Sequence, residues 1–293
     1  WFKSTTHHAN RRFKALRKMF EEKLKHLIDL LFQKFGLKFL RRKSWHELTT
    51  YITSLEEFKL KSEFKLNSFL LFDEYNKSGF LDLIEKSISH QIQDIFVLSV
   101  LDRKRNGYFI EVGALDGKRG SNTLLLEKNF EWNGILVEPN PAYSKALEER
   151  SAHIEARPLL SKSNIECTFL VTEQPVFSTI SQYRFEDKHA HMRRAGKELN
   201  LKSISFEDLL QKYKAPASID YISIDTEGSE LEILQGFPFN RYEASIFTIE
   251  HNFSENRERI FDFMVKNGYE RVDRKSTRLN SSHEWISRMP SSA

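Results

Sequence analysis

Acidic residues recur where an open α/β sheet would bring them to one rim. Glu111 lies inside an apolar run, Tyr108-Phe-Ile-Glu-Val112, and Glu138 closes another, Gly134-Ile-Leu-Val-Glu138. Asp225 closes the run from Ile219, with Glu227 just beyond it, and Glu250 closes the run from Ala244 and is followed by His251. Parallel strands all end on the same edge, so these groups converge on one crevice if the runs are parallel strands. A carboxylate or imidazole placed there can take the proton of a weakly nucleophilic hydroxyl. Asp225 and Glu227 also offer oxygen ligands to a divalent cation, and the spacing does not decide between the two uses. One such acid alone would suit a solvated strand end; four in register point to a site.

Between the first two runs stands Gly113-Ala-Leu-Asp-Gly117, and Ser121-Asn122-Thr123 follows ahead of Leu124, Leu125 and Leu126. That is a strand, a tight glycine turn and a capped helix start. Such a turn lets backbone N–H groups approach a ligand at the carboxyl edge of a sheet. The Gly-x-x-x-Gly spacing falls short of the G-x-G-x-x-G of dinucleotide binders, and alone it also suits an ordinary strand-to-helix turn. An acid ending the next strand, as Glu138 does, is where a carboxylate grips a ribose diol.

The rest of the chain must position these groups. A length of 293 residues holds one α/β domain plus a smaller attachment, and 40% apolar with 29% charged residues describes a globular protein. With 24 Phe, the core is expected to be filled by Phe. The single cysteine, Cys167, excludes an intrachain disulfide and suits a reducing compartment. No apolar run reaches membrane-span length, and the chain opens at Trp1 without Met or a signal pattern, so we expect a cytoplasmic fragment.

From Phe13 to Leu31 apolar residues recur at helical spacing with Lys and Arg between them, predicting a basic amphipathic helix. It suits peripheral contact with an anionic membrane or polyanion, and equally a helix packed on its own domain. A second helix follows from the Ser44–Glu47 capping box, then a linker from Lys59 to Gly79, and a helix over Ile92–Val100. Beyond the glycine turn we expect strands at 134–138, 154–160, 166–172, 219–225 and 244–250. Between them come helices after Asn140-Pro141, over 206–213, through Leu231 and Leu234, and around Ile260. The polar stretch 176–200, with His189, His191, Arg193 and Arg194, reads as a substrate loop or lid. This alternation calls for an α/β, mostly parallel sheet with helices on both faces, preceded by a helical N-terminal region. Periodicity stops after Val272, and residues 275–293 resemble translated vector sequence, so a non-native or disordered tail is expected and the sheet would lack its closing strand.

Ser89 to Val272 resembles an FkbM-type methyltransferase, a branch of the S-adenosylmethionine-dependent class I Rossmann-like enzymes. The matching stretches are Q-D-I-F-V-L-S-V-L at Gln93, F-I-E-V-G-A-L-D-G with S-N-T-L at Phe109, and G-I-L-V-E-P-N-P at Gly134. Sharper still are I-D-Y-I-S-I-D-T-E-G-S-E-L-E-I-L-Q-G-F at Ile219 and I-E-H-N at Ile249. The resemblance sets domain limits at 1–88, 89–274 and 275–293. It implies methyl transfer from S-adenosylmethionine to a hydroxyl of a sugar, glycan or secondary metabolite. It also implies that Glu111, Gly113, Asp116 and Gly117 hold the methionine end, Glu138 the ribose, and Leu160 and Ser161 the adenine. Leu115 stands where the commoner methyltransferase turn has its middle glycine. Asp225, Glu227, Glu250 and His251 are the candidates to face the methyl group and deprotonate the acceptor.

Two other classes compete with this reading. An NAD-dependent oxidoreductase would use Glu138 in the same way, but the third fingerprint glycine and a Tyr-x-x-x-Lys pair are missing. A nucleic-acid methyltransferase wants Asp/Asn-Pro-Pro-aromatic after the strand ending at Asp225, where this chain has Asp225-Thr-Glu-Gly228, so no nucleic acid is expected. The non-enzyme alternative is an inactive Rossmann-like module docked to an anionic surface by its basic helix.

Overall fold

The computed structural model describes residues 81–89, 91–185, 190–251, 256–271 and 283–288. The basic amphipathic helix, the second helix and the linker expected before residue 80 lie outside them. The chain divides into two compact units, residues 1–63 and 64–293, and every described residue belongs to the second. No helix among the described residues is long and apolar enough to cross a membrane.

α1 (Leu81–Lys86) and α2 (Gln93–Val100) precede β1 (Tyr108–Val112), α3 (Leu124–Phe130) and β2 (Asn133–Val137). After α4 (Ser144–Leu147) and β3 (His153–Glu155) the chain leaves the main sheet. It forms β4 (Leu159–Leu160), β5 (Glu166–Thr172), β6 (Thr179–Ile180), β7 (Gly196–Lys202) and β8 (Ile204–Ser205). It returns through α5 (Phe206–Lys212) to β9 (Ser218–Ile224), α6 (Glu230–Gln235), β10 (Glu243–Glu250) and α7 (Asn256–Lys266). β11 (Tyr269–Arg271) and β12 (His283–Arg288) follow.

The main sheet runs β11-β12-β10-β9-β1-β2-β3. Neighbours from β10 to β3 are all parallel, and β12 runs antiparallel to both β10 and β11. This is the Rossmann-like arrangement expected. Its strands read as nearly unbroken apolar runs because both faces are covered. Ile110, Val112, Ile222, Ile224 and Phe247 pack with Leu209, Leu210, Ile233 and Leu234 of α5 and α6. On the other face Phe109, Tyr221 and Ile246 meet Ile95, Phe96 and Leu98 of α2 and Leu125 and Leu126 of α3.

Three expectations change. The strand expected over 154–160 breaks: β3 stays in the main sheet, and β4 pairs with β8 in a separate two-stranded sheet. Pro158, between them, has no N–H to give a ladder. The stretch 176–200 is less irregular than expected, because it contains β6 and most of β7, which pairs with β5 over seven residue pairs. Its sequence, Gly196-Lys-Glu-Leu-Asn-Leu-Lys202, is polar and largely exposed, so hydrophobic patterning left no strand signal.

The third change concerns the tail. His283–Arg288, inside the stretch expected to lie outside the fold, is β12, paired with β10 from Ile246 to Glu250 and with β11. The physical cause lies in β10, whose outer edge would otherwise expose a row of unpaired N–H and C=O groups that accept an added strand. Removing residues 275–293 should therefore lower the melting temperature by about 4–8 °C, the equivalent of about 2 kcal/mol for a domain of this size. Differential scanning calorimetry of the shortened chain measures it, and an unchanged melting temperature would show that β12 adds nothing to stability.

Candidate functional site

A narrow cleft of about 50 Å³, partly open to solvent, lies at the carboxyl ends of β1, β2 and β9. Gly113, Leu115, Glu138 and Pro139 line one part, and Asp225, Thr226 and Glu227 another. Pro175, Val176, Ser178 and Ile180, from the excursion between β3 and α5, close it over.

The glycine turn is built by close backbone contact. Gly113 has φ +87°, and a Cβ on it would sit 1.8 Å from the Asp225 carbonyl oxygen, so β1 and β9 finish against each other only with glycine here. Gly113 and Ala114 donate their N–H groups to Val137 O at 2.9 and 3.2 Å, tying the turn to β2. Leu115, at φ +50°, donates its N–H to Glu138 Oε2 at 2.8 Å, and Asn140 N–H donates to Oε1 at 2.8 Å. A left-handed leucine costs about 1–2 kcal/mol, which this bond and the surrounding packing offset. Burial pushes the Glu138 carboxyl up to about 7, outweighing the two backbone N–H groups that favour its charge.

Opposite Glu138 the acids gather. Asp225 N–H donates to Val112 O at 3.0 Å, which fixes Asp225 level with the turn. The loop after it is shaped by Glu230, the last acid of the Asp225-Thr-Glu-Gly-Ser-Glu230 stretch. Its buried carboxylate accepts from Thr226 N–H, Thr226 Oγ1 and Gly228 N–H, each at 3.0 Å. Glu250 is buried at the end of β10, and its carboxyl is raised well above the usual range by burial and then by the neighbouring Asp225 charge, with a hydrogen bond between the two. Carboxylate oxygens of Asp225, Glu227 and Glu250 lie within 4.8 Å of one another. Oxygens bound to one divalent cation are at most about 5.2 Å apart, so this set fits one. Glu227 pairs with Arg193 at 2.5 Å, and the Arg193 side chain is 0% exposed. His251 is buried beside Glu250.

Of the eleven residues singled out from sequence, Gly113, Glu138, Asp225 and Glu227 line the cleft, with Glu250 joined to the acids behind it, and Leu160 does not line it. Glu111 is engaged by the start of α3, accepting from Ser121 Oγ at 2.9 Å, Asn122 N–H at 2.7 Å and Thr123 Oγ1 at 2.5 Å. Asp116 caps its own turn through the N–H groups of Lys118 and Arg119, and Gly117 O accepts from the buried Arg150. Ser161 donates its hydroxyl to Glu232 at 2.9 Å and is not among the lining residues. Glu111, Asp116 and Gly117 thus shape the turn that the cleft residues stand on. Arg193 was legible only as one basic residue of a polar stretch.

Residues 111–271, more than half of the chain, match the sequence model of the methyltransferase FkbM domain. Among solved structures, a precorrin-6y C5,15-methyltransferase from Geobacter metallireducens is similar at a TM-score of 0.34 and 10% identity, over 66% of this chain and 84% of that one. A protein described as an RNA methyltransferase from Pyrococcus horikoshii gives 0.36 and 12%, over 68% and 83%. One described as a sarcosine dimethylglycine methyltransferase from Galdieria sulphuraria gives 0.30 and 14%, over 61% and 62%. A search of curated proteins finds no significant match.

Proposed function

This chain belongs to the methyltransferase FkbM domain family, and on that premise we propose that it transfers the methyl group of S-adenosylmethionine to a hydroxyl oxygen of a sugar, glycan or secondary metabolite. One observation carries the reading. A single cleft has a buried carboxylate at the end of β2 and an acid cluster at the ends of β9 and β10.

The residues suit that donor. Each oxygen of Glu138 receives one backbone N–H and keeps a second lone pair, which is what two adjacent ribose hydroxyls need as acceptors. The Gly113 turn forms part of the cleft wall, and only glycine lets it lie against the Asp225 backbone. Bound S-adenosylmethionine supplies an electrophilic methyl carbon on a sulfonium sulfur. The chain's own part is to align the acceptor oxygen with that carbon and to accept its proton. Asp225 is placed to accept the proton. It lines the cleft, and burial and the Asp225 charge hold the neighbouring Glu250 carboxyl well above the usual range. With the donor bound, Asp225 would accept the hydroxyl proton while the acceptor oxygen is methylated. Pro175, Val176 and Ile180 give that part of the cleft an apolar wall.

The test is incubation of the chain with methyl-labelled S-adenosylmethionine and a panel of sugars and hydroxylated metabolites. The expected product carries label that survives mild alkali, as an ether does and an ester does not. Label found only on nitrogen or only in alkali-labile esters would overturn the hydroxyl acceptor.

A further inference from the structure

We propose that Arg193 is the resident cation of the acid cluster: its guanidinium takes the neutralising place that a divalent ion would otherwise hold, and it positions Glu227 so that transfer proceeds without metal. The kinetic arm of this proposal rests on the methyl-transfer reading; the metal-binding arm does not.

Three carboxylates within 4.8 Å of one another cannot all carry charge in a partly buried cleft without a counter-charge. The Arg193 guanidinium supplies it. Arg193, fully buried, meets the third acid with Nη2 at 2.5 Å from Glu227 Oε2, and its Nε donates to Phe177 O at 2.9 Å. Arginine keeps its charge at every working pH, so this compensation is permanent. A divalent ion bound by all three acids would share the Glu227 carboxylate with Arg193. That would leave a buried guanidinium facing a second positive charge, which is strongly unfavourable.

Arg193 also belongs to the excursion that roofs the cleft, and the excursion grips Glu227 by its backbone too. Thr179 Oγ1 donates to Glu227 O at 3.0 Å and to Thr226 O at 3.3 Å. A Cβ on Gly228 would lie 2.9 Å from Tyr183 Cβ, so the loop and the excursion pack directly. Glu227 itself sits at φ +61°, a conformation a glutamate holds only when its surroundings impose it. Arg193 therefore acts through Glu227 as a positioning residue, joining the roof of the cleft to its acids.

The experiment compares wild type, Arg193→Gln, Arg193→Lys, Glu227→Gln and the Arg193→Gln/Glu227→Gln double variant. Turnover is measured with and without EDTA, and Mn²⁺ binding by calorimetry and electron paramagnetic resonance. Wild type should be insensitive to EDTA and bind no Mn²⁺ at the cluster. Arg193→Gln should lose about tenfold in kcat and gain Mn²⁺ binding, Arg193→Lys should recover most of the rate, and the double variant should be no slower than Arg193→Gln alone. Wild-type activity that vanishes with EDTA and returns with Mg²⁺ or Mn²⁺ would overturn the proposal, as would tight Mn²⁺ binding by wild type. Should Arg193→Gln not fold, the EDTA and Mn²⁺ arms on wild type and Arg193→Lys decide. Should no acceptor turn over, the Mn²⁺ titrations still do.

Discussion

Asp225→Asn should lower turnover by about a hundredfold or more while leaving donor affinity within about twofold, because the change removes a base and not a binding group. Asparagine keeps the shape of the side chain, and the Asp225 N–H bond to Val112 O is a backbone bond that the substitution leaves in place. What is lost is a carboxyl group lining the cleft. The residual rate reports on the partner. Glu250 is held up first by burial and then by the Asp225 charge, so with that charge gone its carboxyl moves down towards the ordinary range and ionises more readily. Any activity that survives in Asp225→Asn should therefore disappear in Asp225→Asn/Glu250→Gln. Steady-state rates with a labelled donor measure both. Turnover of Asp225→Asn within tenfold of wild type would mean that the base lies elsewhere.

The framework was legible because burial on both faces writes itself into sequence. Phe109 to Val112, Ile135 to Val137, Ile219 to Ile224 and Ala244 to Ile249 are apolar runs that only covered strands need, and all four are strands of the main sheet. Glu138 and Asp225 were legible with them, as acids ending such runs. The separate three-stranded sheet was only partly so: β5 was expected, while β7 alternates too weakly between polar residues to register. The Arg193–Glu227 pair joins residues 34 apart through tertiary packing alone, and no local pattern marks it. Asp116, which the family resemblance assigns to the methionine end, accepts from the N–H groups two and three residues on, a common local use of that side chain.

In the proposed reading, donor binding rests most directly on Glu138. Burial raises its carboxyl to about 7, so this group favours the folded state while protonated, and that contribution is lost as pH rises from 4.5 through about 7. Ribose hydroxyls donate best to the ionised form, so donor affinity should strengthen as pH climbs from about 6 to about 8. Glu138→Ala removes both acceptor oxygens and should weaken binding by about 1.5–3 kcal/mol, roughly 10- to 150-fold. The decisive measurement is calorimetric titration of wild type and Glu138→Ala with S-adenosylmethionine at those two pH values. Tight, pH-dependent binding by wild type and weak, pH-independent binding by the variant is the predicted result; equal affinity of the two proteins at both pH values would contradict it.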